Sequence, residues 1–335
     1  MQDWRHVLKA DPLPWLLAPE DPAVQHMTLR LLFDLPSDDA DVVDALDRAM
    51  QSDPIASLLD NQHTDGYWVK PGHGYSPKYT GTIWSIIFLD QLGASEADSR
   101  IHAGCDYVLS HATTGSGGFG LIGSNSRRPS PSSVVHCLNG NLLRALIGFG
   151  WIDDERVQQA IRWQACSITG DEFDRYYKSG TTGPGFGCFI NGALPCGWGA
   201  VKALRGLARI PADRREPWVN AAIEQGVKFL LSCDPVKAEY PTSSKVSPNW
   251  FKLGFPSGYV ADVLQVCEVL AELGHAKDPR LAHAIEWLLA KQDADGRWHN
   301  EYAYNHKMWI DLEKQGAQSK WVTLRACTVL RSVFS

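Results

Sequence analysis

The chain lacks a surplus of basic residues: 32 Lys and Arg against 38 Asp and Glu leave a formal charge of −6, with the cations dispersed. No basic stripe is available to track a phosphate backbone, so nucleic acid is not an expected partner. Long apolar runs are missing as well. None approaches the ~18 residues of a transmembrane helix, and Met1-Gln2-Asp3-Trp4-Arg5-His6 lacks the basic-then-apolar order of a secretion signal. A cytoplasmic location is expected. The 8 cysteines stand at spacings that suggest no disulfide framework, and they read as reduced thiols. Strand-like alternation is almost absent, and no linker divides the 335 residues. The Pro- and Ser-rich stretch from Ser124 to Ser133 is too short for a hinge and reads as a loop. A single domain spanning 1–335 is expected, and nothing assigns an oligomeric state.

What is present is a repeat. Gln62-His63-Thr64-Asp65-Gly66-Tyr67-Trp68 and Gln292-Asp293-Ala294-Asp295-Gly296-Arg297-Trp298 share the pattern Gln-x3-Gly-x-Trp. Trp287-Leu288 precedes the second copy, extending the pattern to aromatic-Leu-x3-Gln-x3-Gly-x-Trp. Degraded copies follow Tyr107, Trp163 and Phe229, so with Ser57 and Trp287 the anchors recur at fifty to sixty-six residues. Such a period indicates stacked supersecondary units. Each motif is followed by an apolar stretch at helical spacing: Tyr79 to Leu92, Ser133 to Phe149, Cys196 to Ala208, Tyr259 to Leu273 and Ser319 to Val333. Gly81, Gly140, Gly199 and Ala261 near their starts allow close packing. Val24 to Leu35 and Asp41 to Met50 supply a further pair ahead of the first motif.

About six helical hairpins result. An open stack needs polar caps at both ends, yet Val322 to Leu330 is apolar close to the C-terminus. The expectation is therefore an all-α fold, a single (α/α)6 toroid with Gly-rich loops at its rim.

The extended motif resembles the QW repeat of squalene–hopene and oxidosqualene cyclases, whose relatives include protein prenyltransferase β subunits. That resemblance implies an α/α toroid, a deep apolar cavity and isoprenoid-like substrates. The cyclases' Asp-x-Asp-Asp acid is missing; the nearest string, Asp38-Asp39-Ala40-Asp41, has another order and reads as a helix N-cap. Neither an Asp-Asp-x-x-Asp magnesium motif nor the prenyltransferase zinc motif is found.

In such a ring, polar residues at the starts of inner helices converge. His136, Cys137, Cys188 and Cys196 are the first candidates. Pro195 suits the first position of a helix, which would put Cys196 in the first turn, where the dipole favours a thiolate. Three readings stand side by side: zinc held by these Cys and His side chains with a position left open, metal-free acid/base chemistry, and ordinary packing of buried thiols. Lanthionine synthetase cyclases are similar in using two Cys and one His, and linalool dehydratase-isomerase is similar in its paired cysteines. Cys105, Cys166, Cys233, Cys267 and Cys327 read as structural.

Asp262, expected in the first or second turn of an apolar helix, is the candidate acid, with Tyr259 as its neighbour and Lys320 or Arg325 as alternative ion-pair partners. Tyr79, Trp84, Asn139, Asn191, Trp198, Trp250 and Trp321 are candidate substrate-binding residues. The leading expectation is a lyase, isomerase or cyclase working by proton transfer on a small apolar, isoprenoid-like molecule. A zinc-dependent transferase or thiol-adding enzyme and a non-catalytic lipid or peptide binder are the alternatives.

Overall fold

The computed structural model describes residues 4–121, 128–172 and 182–335. Ser124 to Arg127 of the expected rim loop lie outside them. The described chain holds thirteen α-helices: α1 Leu13–Leu16, α2 Pro22–Leu32, α3 Ala40–Met50, α4 Ile55–Asp60, α5 Thr82–Gln91, α6 Ser99–Ala112, α7 His136–Gly148, α8 Glu155–Thr169, α9 Gly197–Ala208, α10 Pro217–Leu230, α11 Val263–Glu272, α12 Ala282–Ala290 and α13 Lys320–Phe334. Among the described residues strands are confined to two short antiparallel pairs, β1 Thr182–Gly183 with β2 Gly187–Cys188, and β3 Trp298–His299 with β4 Gln318–Ser319. None of the described helices is long and apolar enough to cross a membrane.

The helices fall into two kinds, set by burial. Eight successive residues of α5, Thr82 to Leu89, are buried, as expected of a helix enclosed on all sides. By contrast, α3 buries only Val42, Ala45 and Ala49, the stripe of a helix with one face in water. Among the enclosed helices, α5 packs on α7, α7 on α9, α9 on α11, α11 on α13 and α13 on α2. The closest approach is between α7 and α9, where a Cβ on Gly140 would lie 2.2 Å from the Lys202 carbonyl.

The repeat motif has a positional function. Trp68 Nε1 donates to the Leu58 carbonyl at 2.7 Å and Trp298 Nε1 to the Leu288 carbonyl at 2.8 Å, tying each motif back to its own preceding helix. Gln62 Nε2 reaches the Arg100 carbonyl at 2.8 Å, one repeat onward. The motif glycines adopt positive φ, +89° at Gly66 and +75° at Gly296, and press on Ala103 and Ala10 respectively. Ala10 belongs to the start of the chain. Gln292 in the same last motif accepts from the Lys9 N–H at 2.8 Å, so the final repeat docks on the N-terminal segment.

Helix starts differ from the expected ones. Tyr79 has φ +74° and stays in the loop, so α5 begins at Thr82. Pro195 is paired in extended fashion with Gly187 and is not the first helical residue; Cys196 is the N-cap of α9, its sulfur accepting the Gly199 N–H at 3.4 Å. Asp262 likewise is an N-cap, that of α11, and is not within the first turn. Asp39 caps α3, accepting from the Asp41 N–H at 3.0 Å.

Candidate active site

Because α2 and α13 are neighbours, their N-terminal ends lie side by side, and between them is a cavity of about 400 Å³. Trp15, Asp21, Leu312, Glu313, Lys320 and Trp321 are among its lining residues. Lys320 is buried and forms ion pairs with Asp21 and, at 3.4 Å, with Glu20; its ammonium lies 5.6 Å from the centre of the Trp15 ring. Trp321 stacks on Phe255 with ring centres 4.6 Å apart, which fixes the opposite wall.

Glu20, Asp21, Asp53, Asp311 and Lys320 also line this cavity, and Glu313 is the carboxyl among them that burial raises. Ser319, the N-cap of α13, donates its hydroxyl to one carboxyl oxygen, and the Trp321 N–H donates to the other at 3.3 Å. Burial pushes Glu313 up to about 7 against the pull of those donors, and the negative charge of Asp21 adds to the rise. A carboxyl poised near neutrality can both give and take a proton. The sequence reading missed Glu313, which lies in the loop ahead of α13; the Ser319 cap was the only local signal.

The sequence-nominated residues divide into groups. Trp321 is in the cavity. Tyr79, Trp84 and Tyr259 meet around Lys78, whose ammonium lies 5.0, 5.9 and 5.0 Å from their ring centres. Tyr304 extends this cluster, 4.3 Å from Tyr79 between ring centres. Cys137, Cys188 and Cys196 are in electrostatic reach of one another, and Cys137 is also felt by Tyr259. Burial pushes Cys137 up to about 12. Cys196 donates its thiol proton to Cys188 and lowers Cys188 to about 6, while Cys196 itself is raised.

His136 borders Gly199 together with Cys196, but its ring nitrogens bond elsewhere. Its ring is turned between Trp163 and Phe186; Nε2 meets the Gly183 carbonyl at 3.2 Å, and Nδ1 meets Gln164 at 3.0 Å and Ser167 at 3.3 Å. Burial holds it neutral, down to about 4. Both nitrogens are thus engaged inside the wall. Among the described residues no group of three or more His, Cys, Asp or Glu side chains, His136, Cys137, Cys188 and Cys196 included, is placed to hold a metal ion.

Asn139 and Asn191 are structural joints: Asn139 accepts from the Phe119 N–H at 3.1 Å and donates to the Ala160 carbonyl at 3.2 Å, while Asn191 donates to the Pro241 carbonyl at 3.0 Å. Trp250 is buried, its Nε1 donating to the Pro235 carbonyl at 2.8 Å. Trp198 is half-buried and packs on the core.

Asp262 is fully engaged as well. One oxygen accepts the Gln265 N–H and the other the Gln265 Nε2, both at 2.8 Å. Burial raises it, opposed by the charge of Arg325. Gln265 in turn accepts from Lys202, which burial lowers well below the usual lysine value. Neither expected partner pairs directly with Asp262, since Lys320 binds Asp21 and Arg325 grips Glu268 in bidentate fashion at 2.7 and 2.6 Å. Arg144 meets Glu272 at 3.0 Å. Side chains of α7, α9, α11 and α13 thus form a half-buried ionic network where the resemblance implied apolar lining.

No family model matches the chain, and no curated protein does. Solved structures similar to it include a type II terpene cyclase, MstE from Scytonema, at 15% identity and TM-score 0.29, covering 85% of this chain and 96% of that one. A protein from Actinoplanes is similar at 15% identity and TM-score 0.30, covering 87% and 98%. A variant of the same cyclase in complex with geranylgeranyl dihydroxybenzoate, its substrate, matches at 13% identity and TM-score 0.29, covering 87% and 97%. Likenesses at these scores decide neither fold nor function.

Proposed function

We propose that the six enclosed helices close a ring of helix pairs whose mouth binds a small, largely apolar molecule and moves a proton to or from it. The observation that carries this reading is Glu313, a carboxyl raised to about 7 in a cavity walled by Trp15 and Trp321. The two indoles offer flat apolar faces, which suit an isoprenoid-like chain and, through their π electrons, any positive charge that develops on it. Lys320, anchored by Asp21, orients a polar end group of the ligand. Glu313 then acts as the general acid or base, in a lyase, isomerase or cyclase type of reaction. It replaces Asp262 in that role.

The test begins with native mass spectrometry against isoprenoid alcohols and alkenes of increasing chain length. With any substrate so found, Glu313→Gln is expected to keep binding and to lose on the order of 10²–10⁴ in turnover. The wild-type rate should show a limb near pH 7 that the variant lacks. Undiminished turnover in Glu313→Gln would remove the assignment.

A further inference from the structure

Two thiols outside the cavity are brought together by a different device. The β1–β2 hairpin continues through a tight loop in which the Cys188 N–H donates to the Leu194 carbonyl at 3.2 Å and the Ala193 N–H returns to Cys188 at 2.9 Å. The Cys196 N–H bonds the Phe186 carbonyl at 2.9 Å and Gly187 pairs with Pro195, so both cysteines are held side by side across the same small ladder. Each is half-buried, neither sealed in the core nor fully exposed. Phe189 and Ile190, next to Cys188, are 67% and 86% exposed and leave an approach from solvent.

We propose that Cys188 and Cys196 form a two-thiol exchange site for low-molecular-weight disulfides, with Cys188 attacking and Cys196 resolving. The fold supplies what each role needs. Cys188 receives the Cys196 proton donor together with the Ile190 and Asn191 backbone N–H groups, which stabilise its thiolate. Cys196 is the N-cap of α9, where the Gly199 N–H and the helix dipole support negative charge on sulfur once its proton has left. Cys105, Cys267 and Cys327 are buried and offer no such access.

The reaction balances. Cys188 as thiolate attacks one sulfur of R–S–S–R; the S–S bond breaks, one RS⁻ departs and a Cys188–S–S–R mixed disulfide forms. Cys196, deprotonated, attacks the Cys188 sulfur, expels the second RS⁻ and closes the Cys188–Cys196 disulfide. The protons of the two cysteines end on the two departing thiols. Two electrons pass from the protein dithiol to the small disulfide. This site uses none of the cavity residues, so its failure would leave the Glu313 reading intact.

The experiment treats the full chain with glutathione disulfide, quenches by alkylation and maps the peptides. Wild type is expected to lose two alkylatable thiols, to yield a cross-linked Cys188–Cys196 peptide and to recover both on reduction. Cys196→Ser, which keeps a good N-cap for α9, should accumulate glutathione on Cys188 at least about ten-fold faster than on Cys233. Wild type with Cys188 and Cys196 both still alkylated, or with Cys188 linked to Cys137, overturns the proposal. So does a folded Cys196→Ser chain, verified by circular dichroism, in which Cys188 reacts no faster than Cys233.

Discussion

Glu313 behaves as it does because its surroundings withhold water from a carboxylate while leaving it two hydrogen-bond donors, Ser319 and the Trp321 N–H. Its folded value of about 7 against an ordinary 4.5 has a consequence separate from catalysis. The folded chain holds a proton that the unfolded chain releases, so stability falls as pH rises through that window. Glu313→Gln is expected to remove this part of the slope, up to about 3 kcal/mol between the two limits. Urea titrations of both proteins at pH 5 and pH 8 measure it, and parallel slopes would place the raised value elsewhere. Asp262 shows the opposite case. An apolar neighbourhood in sequence made it a candidate acid; in the structure it is the N-cap of α11, each oxygen accepting a hydrogen bond from Gln265.

At the level of elements, the outer helices α6 and α8 and the 3-10 turn Pro279–Leu281 ahead of α12 share a start outside the Gln-x3-Gly-x-Trp pattern. Asp98, Asp154 and Asp278 each accept the N–H of the residue two positions on, Arg100, Arg156 and Arg280, and each pairs with that arginine's guanidinium at 2.7 Å. The cap and the ion pair are one local device. Asp154→Ala should therefore cost about 1 kcal/mol, mostly through the cap, and addition of salt should change that loss little. Thermal melts in low and high salt test this; a loss abolished by salt would make the ion pair the main contributor.

The motif glycines are a stronger constraint on the same scale. Gly296 combines φ +75° with a Cβ position 2.0 Å from the Ala10 carbonyl, whereas Gly316, at φ +87°, has nothing within 4 Å. Gly316→Ala should cost about 1 kcal/mol of backbone strain, and Gly296→Ala at least about 2 kcal/mol, because the N-terminal segment must also move. Equal losses in denaturant titrations would mean that the last motif does not dock on the start of the chain.

Across the whole molecule, α13 links regions far apart in sequence. It packs on α2, while Arg331 pairs with Asp34 and Lys320 with Asp21. Inside, Glu268 is held between Arg325 and Arg205, and these charges bring it down to about 2 despite the burial that opposes ionisation. Its contribution to stability is present above its ordinary 4.5 and is lost as pH falls towards 2. Glu268→Ala leaves two buried guanidinium groups without their carboxylate and should lose about 3–5 kcal/mol at neutral pH. The variant should also lack the wild type's steep decline in the acid range. A loss below about 1 kcal/mol would show that the network relaxes around the missing charge.

The all-helical class and most helix bodies were legible in sequence because each depends on neighbours a few residues away: apolar spacing, prolines, glycines and the Gln-x3-Gly-x-Trp loop that bonds its own preceding helix. Helix starts were less legible. Whether Pro195, Cys196 or Asp262 lies inside a helix or at its edge depends on competing pairings, such as Gly187 with Pro195, that come from another part of the chain. Of the candidate site, Trp321 was legible in sequence and the rest was decided by tertiary structure. Glu313 is raised by its burial at the cavity wall, with Asp21 adding to the rise, and the ring nitrogens of His136 are taken up by Gly183, Gln164 and Ser167. A proton affinity is the sum over everything that surrounds a group, and for these side chains that sum is assembled only when distant segments meet.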